Sequence, residues 1–208
     1  VVNCAGLYGD RVARLAGATV EIQCVPFRGE YYDLKPDKAH MVRGLIYPVP
    51  DPRFPFLGVH FTKRIYGGAD AGPNAVLAFA REGYGKTSFN FDEAVEILRY
   101  PGFRVMARKY WKAALGEYYR SFSKAAFVLA LQKLIPELVS SDLTPGHTGV
   151  RSQALNRDGT LMDDFYFVVT EGIVHVVNVP SPAATASLEV AREIVDRIFS
   201  NNAGAVRA

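Results

Sequence analysis

Hydrophobic and polar positions change period several times along the chain, and each change predicts a different kind of element. Residues 1–6 are an apolar run closed by glycine, the pattern of a strand entering a turn. Residues 10–16 have the spacing of a short helix, with Asp10 as candidate N-cap and Gly17 as stop. Short β-branched and aromatic stretches follow at 20–25, 29–34, 41–47, 57–62, 65–70 and 75–79. Pro26, Pro36, Pro48, Pro50, Pro52, Pro55 and Gly58 punctuate them, which predicts an antiparallel meander with tight connections. From Asp92 the period is helical. Ala94, Ile97 and Leu98 share a face, and residues 102–135 repeat apolar positions at i, i+3, i+4. That stretch is expected to break near Gly116 or Ser121 and to end at Pro136. Strands return at 150–155, 164–170 and 173–179, the last two linked only by Glu171-Gly172. Residues 183–199 predict an amphipathic helix with Leu188, Ala191, Ile194, Val195 and Ile198 inward, Ser181 as N-cap and Pro182 in the first turn.

This order predicts an α+β fold: an antiparallel β-meander with helices over 20–146, and flanking segments 1–19 and 147–208 in another layer. A chain of 208 residues can bury one large core or two small ones. Hydrophobic content of 49% against 22% charged excludes a disordered chain. A net charge of +3 without basic runs argues against nucleic acid as a partner. Two cysteines with no CxxC suggest reduced thiols and an intracellular setting. No apolar run approaches the roughly 20 residues that cross a bilayer. A surface contact with a membrane stays open.

Several apparent motifs fail. Gly85-Lys86-Thr87 lacks the glycine a phosphate loop needs five positions before Gly85, where Ala80 stands. Gly83 and Gly85 begin a GxG, but Ser88 replaces the third glycine of a dinucleotide fingerprint. His40, His60, His147 and His175 show no metal-ligand spacing, so no metal site is expected. No GxSxG elbow exists.

Three segments carry more. Gly149-Val150-Arg151 places an arginine on a strand beside a glycine that permits close approach of another backbone or a flat ligand. A planar guanidinium is suited to a carboxylate because it makes two parallel charge-assisted hydrogen bonds. A surface ion pair is the plainer reading of the same arginine. Pro180-Ser181-Pro182-Ala183-Ala184 reads as a helix start, whose free N–H groups favour negative charge. Taken alone, it is equally an ordinary capped helix. The third segment is the opening run, Val2-Asn3-Cys4-Ala5-Gly6, read as the last strand of a larger sheet.

Together with Pro26-Phe27-Arg28-Gly29-Glu30-Tyr31, Ile46-Tyr47-Pro48-Val49-Pro50-Asp51, Phe56-Leu57-Gly58-Val59-His60-Phe61-Thr62 and Gly72-Pro73-Asn74-Ala75-Val76, these blocks make a specific ordered signal. The chain resembles the D-amino-acid-oxidase-like family of FAD-dependent oxidoreductases, and within it the L-2-hydroxyglutarate dehydrogenase/oxidase branch. The resemblance implies FAD as cofactor and a small dicarboxylate as substrate, with a 2-hydroxy acid oxidised to the 2-oxo acid. It implies that Arg151 grips the α-carboxylate above the flavin. Asn3, Ala5 and Gly6 would pass the FAD nucleotide. Gly149, Val150 and the segment Asn178, Pro180, Ser181, Pro182, Ala183, Ala184 would lie against the ring. His60 is the candidate general base, with His175 as alternate. Tyr31, Tyr47 and Arg28 are candidate substrate contacts, and Lys63 is a further cation for a distal carboxylate. Segments 1–19 and 147–208 would be parts of the FAD-binding domain, and 20–146 the substrate domain.

The family's N-terminal glycine-rich strand-turn-helix does not occur in these residues. The expectation is a C-terminal fragment whose partner is the segment holding the FAD diphosphate, and which alone neither retains FAD nor turns over substrate. Localisation is expected to be cytoplasmic or inner-membrane-associated in a bacterium and mitochondrial in a eukaryote, with a membrane-surface or quinone contact open. Rival functions are a family member acting on an amine or glycerol phosphate, and a non-catalytic binding domain.

Overall fold

The computed structural model describes residues 1–49 and 58–205. Pro50, Asp51, Pro52, Pro55, Phe56 and Leu57, with the start of the strand expected at 57, lie outside the described residues. The fold is α+β, and the chain divides into two compact units. The first comprises 1–25, 97–103 and 152–208, and the second 26–96 and 104–151. Residues 97–103, expected in the meander domain, thus belong with the first unit.

In the first unit, β1 (Val2–Asn3) pairs in parallel with β9 (Ile173–Asn178), which pairs antiparallel with β8 (Tyr166–Thr170). Helix α1 (Gly9–Leu15) follows a short 3-10 turn, and α5 (Ser187–Ala205) closes the chain. Ala13, Ala18, Ile22, Cys24, Ala154 and Val177 form the small-residue core. Gly9 fits closely there, because a Cβ would meet the Val176 carbonyl oxygen at 3.1 Å. Asp10 is not the N-cap of α1; Tyr8 is. Asp10 is fully buried in the first turn, accepting from Arg14 at 2.9 Å and from the Cys24 N–H at 3.2 Å. Residues 97–103 join this unit through Tyr100, whose hydroxyl donates to the carbonyls of Glu21 (3.0 Å) and Leu155 (2.9 Å).

The second unit is a six-stranded sheet in the order β3-β4-β5-β2-β6, with β7 also pairing β2. Its strands are β2 (Gln23–Leu34), β3 (Leu45–Ile46), β4 (His60–Lys63), β5 (Ala69–Gly72), β6 (Val76–Leu77) and β7 (Leu143–Leu155). The two runs expected at 20–25 and 29–34 are one strand, through Pro26 and Gly29. The expected strand at 65–70 is instead a hairpin tip. Gly67 and Gly68 have φ of +95° and +81°, and exposed Ile65 and Tyr66 precede them. Residues 36–41 form a 3-10 helix, which shortens the strand expected at 41–47.

The helix layer contains α2 (Phe91–Arg99), α3 (Pro101–Phe122) and α4 (Lys124–Leu131). The expected break comes at Ser123, whose side chain caps α4 by accepting from Ala126 N–H at 3.2 Å. Gly116 sits inside α3 without interrupting it. Phe127, Val128 and Leu131 pack on Leu34, Phe61, Ala69 and Ala71, which fixes one face of the sheet as core.

Candidate active site

Side chains alternate across a strand, so a sheet with one face in the core must present every second residue on the other. In β2 the core side takes Arg28, Glu30, Tyr32 and Leu34, leaving Gly29, Tyr31 and Asp33 on the opposite face. Register extends the rule: Asp33 pairs with Asp70, and His60 with Gly72. His60 therefore shares the open face, where it stacks on Tyr47 with ring centroids 4.3 Å apart. From β7, His147 stacks on Tyr31 at 4.3 Å. Two positions further along the same side comes Gly149, where a Cβ would meet nothing within 4 Å, and two further comes Arg151. The guanidinium of Arg151 lies over Gly29, its Nη2 3.1 Å from where a Cβ there would sit, and donates to the Asn74 carbonyl at 3.3 Å.

The open face thus brings Arg151, His60, Tyr31 and Tyr47 together. Burial, with the Arg151 charge adding to it, holds the His60 imidazole below the ordinary histidine range, while its contact with the Gly58 carbonyl (3.3 Å) pulls the other way. A neutral imidazole is the form that can accept a proton. Burial pushes the Tyr31 hydroxyl up, against the pull of Arg151, so it stays a neutral donor.

Other candidates are placed elsewhere. Arg28 is buried on the core side. Its Nε and Nη2 both reach Glu30 Oε1 at 3.0 Å, and its Nη1 donates to the Gly85 carbonyl at 2.9 Å. A guanidinium so committed is not available to a distal carboxylate, and the period-2 alternation is the reason. Lys63 follows His60 by three residues and so leaves the strand on the other face. The Asp33, Asp70 and His147 ligand atoms lie within 4.8 Å of one another, a grouping drawn from three strands that sequence spacing does not reveal. Arg64 already bonds both carboxylates.

In the first unit, His175 is buried between Asn3 Nδ2 (3.1 Å) and Thr170 Oγ1 (3.4 Å), which removes it as alternate base. The Asn3 side chain also donates to the Gly9 carbonyl and accepts from Ala5 N–H, so any ligand contact there comes from the turn backbone. The Asn178 amide nitrogen likewise donates to the carbonyls of Met162 and Asp164. The expected helix start at Ser181 is corrected: α5 begins at Ser187. Residues 182–186 make isolated turns closed by Ala186 N–H to Pro182 O (3.0 Å) and Ser187 N–H to Ala184 O (3.4 Å). Those turns use the N–H groups of Ala186 and Ser187 and supply no aligned helix end at 181–184. Nor are Leu188 and Val195 inward, being 85% and 45% exposed. Sequence reasoning missed Gly29 and Asn74 as site residues, although both stand in blocks that carried the resemblance.

The sequence matches the DAO family, FAD dependent oxidoreductase, over residues 1–197. The chain belongs to that family. It is 54% identical over 191 residues to an L-2-hydroxyglutarate dehydrogenase of Indibacter alkaliphilus, covering 91% of this chain and 48% of the relative. The mitochondrial L-2-hydroxyglutarate dehydrogenase of Homo sapiens is 48% identical over 203 residues (95% and 44%), and that of Escherichia coli 44% over 198 (95% and 47%). The chain therefore spans about half the length of these relatives.

An FAD dependent oxidoreductase needs backbone and polar groups that receive a flat, anionic cofactor. In α/β sheets ligands gather outside the carboxyl ends of parallel strands. β1 and β9 run parallel, Asn3 beside His175, so Cys4–Gly6 and the residues after Asn178 leave the same edge of this sheet. Cys4, Ala5, Gly6, Ser181, Pro182 and Ala184 are exposed there, and Gly6 turns at φ +53°. The Ser152 hydroxyl is buried without a hydrogen-bond partner among the described residues. In the second unit, the open space over Gly149 suits a ring. The residues of the first unit fit the group by themselves, through backbone and open surface rather than a helix end.

Proposed function

We propose that this chain is the substrate-recognition part of an enzyme that oxidises a 2-hydroxy acid, L-2-hydroxyglutarate, to the 2-oxo acid. One observation carries the reading: Arg151, His60, Tyr31 and Tyr47 gather on the uncored face of one sheet. Arg151 holds the α-carboxylate through its fork, and Tyr31 and Tyr47 add hydroxyl donors beside it. His60, kept neutral, takes the proton of the 2-hydroxyl while C2 gives up hydride. FAD would supply the hydride acceptor, and in the first unit the turn at Cys4–Gly6 and the segment 178–184 are the residues that would hold part of it. The names of the relatives, several of them mitochondrial, support substrate and setting alike. Among the described residues no helix is long and apolar enough to cross a membrane.

The test uses the full-length protein. Flavin absorbance after purification and its anaerobic bleaching by L-2-hydroxyglutarate, but not by amino acids or glycerol phosphate, are the expected results. A colourless full-length protein would favour a non-catalytic binding domain, and bleaching by an amine would move the substrate class.

A further inference from the structure

An exposed arginine has considerable rotamer freedom to lose when it holds a ligand. Arg151 loses part of it beforehand, by donating to the main-chain carbonyl of Asn74. Asn74 is 2% exposed, and its side-chain amide is locked to β2 by two hydrogen bonds of opposite sense. The Glu30 N–H donates to Asn74 Oδ1 at 2.8 Å, and Asn74 Nδ2 donates to Glu30 Oε2 at 3.0 Å. Glu30 is held in turn by Arg28 Nε at 3.0 Å and by the Ser121 hydroxyl at 2.8 Å. A buried network therefore runs from the core side of the sheet, through one asparagine, to the guanidinium on the open side.

We propose that Asn74 is the positioning residue of the carboxylate site, acting only through Arg151. The inference rests on reading Arg151 as the carboxylate anchor. The geometry asks for one acceptor and one donor on a short planar group, which asparagine supplies. Aspartate would set a second carboxylate against Glu30, and leucine would leave the Glu30 N–H and carboxylate short of partners. Fixing the side chain fixes the direction of its own carbonyl, and that carbonyl aims the Arg151 fork. Gly29 leaves the room in which the fork lies.

The experiment uses the full-length holoenzyme and glutarate, which has both carboxylates but no hydroxyl to oxidise. Its binding is read from perturbation of flavin absorbance, beside the kinetics of L-2-hydroxyglutarate oxidation. Asn74→Ala is expected to weaken glutarate binding and raise KM by about threefold to tenfold, the effect of one neutral hydrogen bond, with kcat changed less. Asn74→Ser keeps a donor and an acceptor, and shows a smaller loss in the same direction if the alanine variant does not fold. In an Arg151→Lys background either substitution should add little, because both act on one contact. If Arg151→Lys weakens glutarate binding while the Asn74 variants do not, or if the two effects are fully additive, the positioning role is overturned and the anchor stands. If Arg151→Lys itself changes nothing, the anchor reading falls and the inference with it.

Discussion

Arg28 and Arg151 reach the two faces of one sheet, and the contrast separates what builds this unit from what it can do. On the core face, Arg28 meets Glu30, Ser121 lies against the same carboxylate, and Phe127 and Leu131 complete the packing. The charge of Arg28 is answered from within, by Glu30. On the open face, Arg151 has one hydrogen bond among the described residues, to a carbonyl, with His60, Tyr31 and Tyr47 nearby and space above Gly149. A guanidinium bonded to a carbonyl, with no carboxylate bonded to it among the described residues, can accept an anion from outside. One paired with a buried carboxylate serves the fold.

Substitutions can sharpen that contrast. The largest effect is expected from His60→Gln in the full-length enzyme, a fall in the rate of flavin reduction of about 10² to 10⁴ with glutarate affinity mostly kept. Loss of folded protein instead would return His60 to a packing role. Next, Arg28→Ala leaves Glu30 short of its main cation and is expected to cost about 3–5 kcal/mol in urea unfolding. Arg151→Ala, on the exposed side, should shift stability by only about 0.5 kcal/mol. Equal losses would erase the distinction between the faces. Smaller again is Gly29→Ala. Its Cβ would sit 2.9 Å from Pro73 Cβ and 3.1 Å from Arg151 Nη2, so the proline contact must shift and the arginine must give by a few tenths of an ångström. A rise in KM of about tenfold is expected, on the scale of one displaced charged hydrogen bond.

The smallest effect is a pH shift. Because the His60 pKa is lowered, the neutral base persists to more acid pH than for an ordinary histidine, and turnover falls only as pH drops through that lowered value. Burial is the main cause and Arg151 a secondary one. Arg151→Gln should therefore move the acid limb of kcat/KM part of the way up toward the ordinary value. An acid limb that stays put or moves down would separate His60 from Arg151.

Much of this fold was legible in the sequence because period 2 and period 3.6 are local signals. The β8–β9 hairpin follows from two alternating runs joined by Glu171-Gly172, whose glycine turns at a positive φ of 73°. What misled were residues with two uses. Pro26 reads as a break but lies within β2, and Ser181-Pro182 reads as a helix cap but opens a turn. The Arg28 assignment failed because sequence does not say which parity of a strand faces the core until a helix layer is set against it. Asn74 was invisible for a related reason: its partners, Glu30 and Arg151, are distant in the chain and meet it only through strand pairing.

The central claim, that the open face and not the core face binds the substrate carboxylate, is tested most directly by anaerobic flavin reduction. The full-length enzyme is titrated with L-2-hydroxyglutarate as wild type and as Arg151→Lys. Lysine keeps the charge and loses the fork, so half-saturation should rise about tenfold to a hundredfold with flavin content preserved, the scale of a charge-assisted hydrogen bond. An unchanged titration with Arg151→Lys would contradict the claim.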